Sequence, residues 1–115
     1  MTTETFETEV WETGSDSAQT TLTSIGAGQT IAARTPLGQR ASDGLFYVWN
    51  PAGVDGTEKA VRIAAFDVDT TGGAKDVQAY KAGTFNPDLV QWPTSTALEQ
   101  SLTFVGSPIS LQTPR

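Results

Sequence analysis

The chain contains no cysteine, which excludes a disulfide framework and any thiolate metal site. Histidine is absent too, and with it go the commonest general base, the usual activator of a serine or threonine nucleophile, and the commonest metal ligand. Basic residues are scarce: 7 Lys and Arg stand against 13 Asp and Glu, for a formal charge of −6. Nucleic-acid binding needs clustered cations that displace counterions from phosphates, and no such cluster exists. No apolar run approaches the roughly 18 residues of a membrane-spanning helix. The opening stretch M-T-T-E-T-F-E-T-E-V is acidic and lacks the apolar core of a secretory signal. The expectation is a product that stays soluble in the cell that makes it.

What is present points to strands. A chain of 115 residues is one domain's worth of sequence. With 37% hydrophobic residues, 11 glycines, 6 prolines and abundant threonine, it suits a β-rich, loop-rich fold and not a helical bundle. With the segments read below, the fold class is α+β, mostly β: a small domain with long loops, one short C-terminal helix and a flexible N-terminal arm. Residues 2–14 are rich in Glu and Thr and carry no Lys or Arg. Within them Thr5-Phe6-Glu7-Thr8-Glu9-Val10-Trp11 alternates, with Phe6, Thr8 and Val10 on one face. That is strand periodicity, in a segment too short to order itself alone. It reads either as a frayed terminus or as an arm that adds a strand to a partner's sheet. The division is therefore 1–14 as arm and 15–115 as domain.

Residues 14–31 read as extended, loop-like chain with only Leu22, Ile25 and Ile31 to bury. Pro36 biases Thr35 out of the helical region, so Thr35-Pro36-Leu37 is extended. Ser42-Asp43-Gly44 is a turn signal ahead of a strand over 45–49. Residues 60–68 alternate, with Val61, Ile63 and Ala65 on one face and Arg62, Ala64 and Phe66 on the other. A glycine-containing loop returns the chain as a strand over 75–81, which predicts a hairpin. Residues 80–93 pack Tyr80, Phe85 and Trp92 around a turn at Ala82-Gly83 and a short capped helical turn, with Asn86 at the N-cap and Pro87 at N1. Thr96-Ala97-Leu98-Glu99 is a capping-box pattern. In the helix it starts, Leu98 and Leu102 share a face that Val105 continues. Gly106 stops the helix, and residues 108–111 read as a last short strand.

Little in the sequence carries chemistry. Asp67-Val68-Asp69-Thr70-Thr71-Gly72 opens like a calcium loop, but its twelfth position is Gln78, which cannot supply the bidentate carboxylate. It reads as a hairpin loop. Paired carboxylates for glycoside hydrolysis occur by chance among so many acids. A nucleophile elbow, a P-loop and a dinucleotide fingerprint are all missing. The residues predict no enzyme, no cofactor and no metal. Trp49 and Trp92 end apolar stretches and read as core or subunit-interface residues. Trp11 lies in a segment with no core of its own, where an exposed aromatic needs a partner to bury it.

Tyr80-Lys81-Ala82-Gly83-Thr84-Phe85 followed by Trp92-Pro93 resembles the Y-K-x-G-T-F and W-P motifs of the head decoration proteins of lambda-type tailed bacteriophages. Thr35-Pro36-Leu37 resembles that family's T-P-L segment, and Val48-Trp49-Asn50 its aliphatic-Trp-Asp strand end. Phe104-Val105-Gly106-Ser107-Pro108-Ile109-Ser110 resembles its F-A-G-x-A-I-S close. Gly14-Ser15-Asp16-Ser17-Ala18-Gln19-Thr20 stands where the family has N-D-P-A-H-T, with Ser17 in place of the proline and Gln19 in place of the histidine. The motifs occur in register along nearly the whole chain.

The resemblance implies a homotrimer on the outside of the expanded phage head that cements the shell against internal DNA pressure. Its partners are then itself and the major capsid protein, with no nucleic acid and no membrane. It implies that the arm, through Thr5, Phe6, Glu7, Thr8, Glu9, Val10 and Trp11, docks on the shell. Thr35, Pro36, Leu37, Trp49, Tyr80, Phe85 and Trp92 are then core or trimer-contact positions. From a different class, a carbohydrate- or receptor-binding module of a phage or cell-surface trimer also fits the aromatics, and requires a rigid aromatic groove on the folded domain.

Overall fold

In the computed structural model the described residues are 11–14 and 17–113. Eight strands carry the fold: β1 (Gln19–Ile25), β2 (Thr30–Ile31), β3 (Pro36–Gln39), β4 (Phe46–Val48), β5 (Ala60–Ala64), β6 (Val68–Asp69), β7 (Lys75–Phe85) and β8 (Ile109–Leu111). A 3₁₀ turn (Pro87–Leu89) and one short helix, α1 (Ala97–Ser101), lie between β7 and β8. The main sheet runs β1-β4-β3-β5-β7-β8, and β1 also pairs with β7, so five of its strands close into a small barrel. Closure removes the open edges that a flat sheet of this size would leave. The β-rich class expected from composition is the class observed.

The barrel holds together along β7, the longest strand. β1 runs antiparallel to it from Gln19 opposite Ala82 to Ile25 opposite Lys75. On its other side β5 pairs Ile63 with Tyr80 and Ala64 with Ala79. The closing seam, between β1 and β4, has a single parallel pair, Ile25 with Phe46. A side chain completes it. The Gln29 amide donates to the carbonyls of Gly26 (3.0 Å) and Phe46 (3.2 Å) and accepts from the Val48 N–H (3.0 Å). Beside it the fully buried Thr70 hydroxyl donates to the Gly26 carbonyl at 2.7 Å. Groups left unpaired in such a seam would cost about 1–3 kcal/mol each.

Four expectations change. The stretch expected as loop-like chain contains a full strand, β1, because Thr is β-branched and suits a pleated surface even when its polarity hides the alternation. The turn at Ala82-Gly83 is also absent, since β7 runs straight through to Phe85. Gly83 sits at φ 133°, and a Cβ there would come 2.8 Å from the Phe85 ring and 3.0 Å from Ala18 Cα. The glycine serves close packing, not reversal. The alternation over 60–68 breaks at Val61, where β3 pairs Leu37 with Arg62 but Gly38 with Ala60. That bulge opposes two residues to one, so Val61 packs with Ala64's side of the strand and Phe66 falls outside it, 65% exposed. The hairpin is a true antiparallel pairing of β5 with β7, but its connection carries β6, which pairs with β2 instead.

Two apolar clusters result. Ile25, Ile31, Leu37, Phe46, Ala64, Val68 and Ala79 form the first, bounded by the barrel strands. The second lies on the other side of β5 and β7 and gathers Trp49, Ala60, Ile63, Phe85, Phe104 and Ile109, with Trp11, Ala18, Tyr80, Trp92 and Leu111 packed against it. Cross-strand partners sort cleanly: Ala64 and Ala79 join the first cluster, Ile63 and Tyr80 the second.

Candidate interaction site

The second cluster is built from segments distant in sequence, and it is where the N-terminal chain meets the domain. Phe85, fully buried, is its centre. The Trp11 ring stacks on Phe85 with centroids 4.8 Å apart, and Tyr80 tilts against both, at 6.0 Å from Trp11 and 4.9 Å from Phe85. The backbone follows the rings. The Asn86 N–H donates to the Trp11 carbonyl (2.7 Å) and the Thr13 N–H to the Thr84 carbonyl (3.0 Å), with Glu12 bridged antiparallel to Phe85. The Thr13 hydroxyl donates to the Gln112 carbonyl at 2.6 Å. Residues 11–13 thus run along β7 on the side opposite β8.

Arg34 closes this contact from above, its guanidinium 4.9 Å from the centre of the Trp11 ring. Stacking a cation on an indole contributes about 0.5–1 kcal/mol at an exposed site. The Arg34 backbone takes φ 71°, unusual for a residue with a side chain. It is held there by its N–H on the Ala64 carbonyl (2.7 Å) and by the Gln91 N–H on its own carbonyl (2.9 Å). Nothing in the residues around Arg34 signals this role, because the conformation and the partner both come from elements far along the chain.

The expected site residues divide into groups. Thr5, Phe6, Glu7, Thr8, Glu9 and Val10 lie outside the described residues. Trp11 is half-buried against the domain, so the exposure expected for it does not hold: it does have a core, supplied by β7. Thr35, Pro36 and Leu37 are buried within one chain, Pro36 as the first residue of β3, where its missing N–H is tolerated. Trp49 is buried at 4% and meets Trp92 edge-on at 5.7 Å. Both indole N–H groups are committed, Trp49's to the Glu58 carbonyl (2.9 Å) and Trp92's to that of Pro87 (3.0 Å).

The helix turns an apolar face outward. Its capping box is formed, with the Glu99 N–H donating to the Thr96 hydroxyl (3.1 Å) and the Thr96 N–H to the Glu99 carboxylate (2.8 Å). The helix ends at Ser101, short of the stop expected at Gly106, so Leu98 lies within it, Leu102 at its C-cap and Val105 in the turns beyond; the three are 68%, 60% and 78% exposed and point away from the core. Phe104, at φ 68°, turns the chain so that its own ring is buried while its neighbours stay outside. On one flank of α1 lies a groove of mixed character, with Trp49, Pro51, Leu102 and Val105 beside Glu58, Lys59 and Glu99. On the other, a groove of about 560 Å³ is lined by Pro87, Asp88, Trp92, Gln100, Ser101, Thr103 and Leu111.

The acidic residues do not converge. Asp67 accepts from the Ala33 N–H (2.8 Å), while Asp69 accepts from the N–H and hydroxyl of Thr71 (3.0 and 2.7 Å), which lowers the Asp69 pKa. Among the described residues no group of three or more acidic side chains is placed to hold a metal ion. In the same set no helix is long and apolar enough to cross a membrane. Asp43 is held at about 2, chiefly by its hydrogen bond from Arg40 and then by the Leu45 N–H. That pair lies on the surface, beside Tyr47.

The site therefore offers packing, strand edges and apolar surface. Comparison with known proteins agrees with that character. No curated protein matches the chain by sequence. The family model of the bacteriophage lambda head decoration protein D matches residues 7–106, spanning β1 through the turn after α1. The chain belongs to the bacteriophage lambda head decoration protein D family.

Proposed function

We propose that this protein binds as a homotrimer to the outside of the expanded phage head and stabilises the shell against the pressure of packaged DNA. The observation that carries the reading is the family match over residues 7–106. The mechanism is binding and not catalysis. Residues 1–14 act as the arm, and its last part, 11–14, is the root. Trp11 and Thr13 fix that root to β7 through the Phe85 stack and two backbone hydrogen bonds. Residues 1–10, with Phe6 and Val10 as apolar anchors, are left to add a strand to the major capsid protein.

A rooted arm loses less freedom on docking than one that swings from a loose tether, so less of its contact energy is spent on ordering. Three arms on one trimer then act together, raising apparent affinity by roughly 10²–10⁴ without new contacts. Only a shell whose spacing matches the trimer engages all three. This accounts for a preference for the expanded head.

Co-sedimentation with expanded, undecorated heads tests the reading, using the intact chain and a chain lacking residues 1–10. Saturable pelleting of the intact chain, with the shortened one left in solution, is the expected result. Equal pelleting of both removes the arm from the mechanism, and failure of both removes the decoration reading. Sedimentation equilibrium of the intact chain checks the trimer.

A further inference from the structure

We propose that the groove between the 3₁₀ turn and α1 is a docking site for a basic side chain, an arginine above all, from a peptide segment of a partner protein. The Trp92 indole lines it, pinned by its N–H on the Pro87 carbonyl and by its T-shaped contact with Trp49. An aromatic plane fixed in this way costs little further entropy when a cation stacks on it.

The polar groups around the indole are the discriminating feature. The Ser101 hydroxyl donates to the Leu98 carbonyl (2.7 Å) and the Thr103 hydroxyl to the Glu99 carbonyl (3.0 Å). One amide hydrogen of Gln100 is committed to the Ser95 hydroxyl (3.0 Å). What these side chains have left is almost entirely accepting: two hydroxyl oxygens, the Gln100 carbonyl oxygen and the Asp88 carboxylate. The Asp88 side chain makes no hydrogen bond among the described residues, and its backbone N–H is already taken by Asn86 (3.0 Å). The only side-chain donor in surplus is the second amide hydrogen of Gln100.

A ligand that fits must supply donors and need almost none. A guanidinium has five N–H donors in a plane and no acceptor, pairs with carboxylates, and stacks on aromatic faces. Its aliphatic stem finds Pro87 and Leu111 at the groove's walls. A sugar presents acceptors along with its donors, so several of its oxygens would go unmatched here. Charge points the same way, since the chain's formal charge is −6 and the groove contains a carboxylate but no cation. The proposal concerns a second contact, separate from the arm, and stands whether or not the arm docks on a shell.

Amide and indole chemical shifts of the full-length, isotope-labelled protein, titrated with acetyl-Gly-Arg-Gly-amide, test it. Saturable shifts are expected at Asp88, Trp92, Gln100, Ser101 and Thr103, weakening with salt. The citrulline version of the peptide keeps the shape and loses the charge, and should bind about fivefold or more weakly. Asp88→Asn is a surface change that leaves the fold intact, and should weaken the arginine peptide similarly while leaving the citrulline peptide unaffected. Equal binding of citrulline and arginine overturns the proposal. So does a larger response to methyl glucoside or methyl galactoside, or the absence of saturable shifts at these residues with any probe.

Discussion

The two apolar clusters are made of different material and held in different ways. The barrel cluster consists of aliphatic side chains and Phe46, enclosed by strands whose backbones pair all round. The aromatic cluster collects Trp49, Phe85 and Phe104, with Trp11, Tyr80 and Trp92 at its margin, from five stretches of chain that share little regular pairing. A paired barrel cannot move one wall without breaking ladder hydrogen bonds. An aromatic lobe stapled by stacks, single hydrogen bonds and two residues at positive φ can present grooves, an outward helix face and a berth for residues 11–13. The barrel supplies the scaffold and the lobe supplies the surface, as expected where binding sits on chain positioned by a rigid framework.

Truncating the centre of each cluster sharpens that contrast and has the largest effect. Ile25→Ala should cost about 2–5 kcal/mol and Phe85→Ala about 3–5 kcal/mol, read from urea midpoints. The two differ in what fails first. Phe85→Ala should also raise amide exchange at Thr13 and Asn86 and admit protease into 11–14 below the unfolding transition. Ile25→Ala should release those sites only with the whole domain. Identical exchange patterns would mean that the clusters unfold as one unit.

Trp11→Ala comes next. Loss of its stack should cost about 1–2 kcal/mol at most, because the side chain is half-buried and its removal leaves the domain's own core intact. The Asn86 amide, whose acceptor is the Trp11 carbonyl, reports loosening of residues 11–13 directly. Trp11→Phe should restore most of the protection. Smaller again is Leu98→Ser with Leu102→Ser. Both side chains are mostly exposed, so the midpoint should move by no more than about 0.5 kcal/mol per site. A cost several times larger would show that the helix face is covered, for instance by another copy.

The least effect concerns pH. Asp43, Asp55 and Asp69 all have lowered pKa values, Asp43 through Arg40 and the other two through the hydroxyl and backbone N–H of Thr57 and Thr71. A carboxylate more acidic in the folded state stabilises above its unfolded pKa near 3.8, and loses that contribution as pH falls through its folded pKa, which is about 2 for Asp43. Having no histidine, the chain should hold a flat urea midpoint from about pH 5 to 8 and lose stability below about pH 4. Asp43→Asn should flatten part of the acid limb. None of these carboxylates belongs to the aromatic cluster, so the acid loss should not single out Trp11.

Much of this molecule was legible in its residues. Local chemistry alone placed the capping box at Thr96 and Glu99, the Asn86-Pro87 cap of the 3₁₀ turn, the strand before Trp49 and the last strand before Gln112. Each depends on side chains reaching backbone within three or four positions, or on β-branched runs bounded by turn residues. The family, too, was visible in five short motifs.

Tertiary structure decided the rest. Polar alternation concealed β1, whose identity as a strand depends on β7 lying beside it. Gly83 reads as a turn until Phe85 and Ala18 are seen against it. Leu98, Leu102 and Val105 repeat at helical spacing, yet whether such a face turns inward depends on what packs there, which spacing cannot encode. Trp11 received its core from Tyr80 and Phe85, far along the chain, and its cover from Arg34. Sequence determines what a segment can form on its own. Which side of it meets another segment is a property of long-range closure, and in this chain that closure created both the barrel and the site.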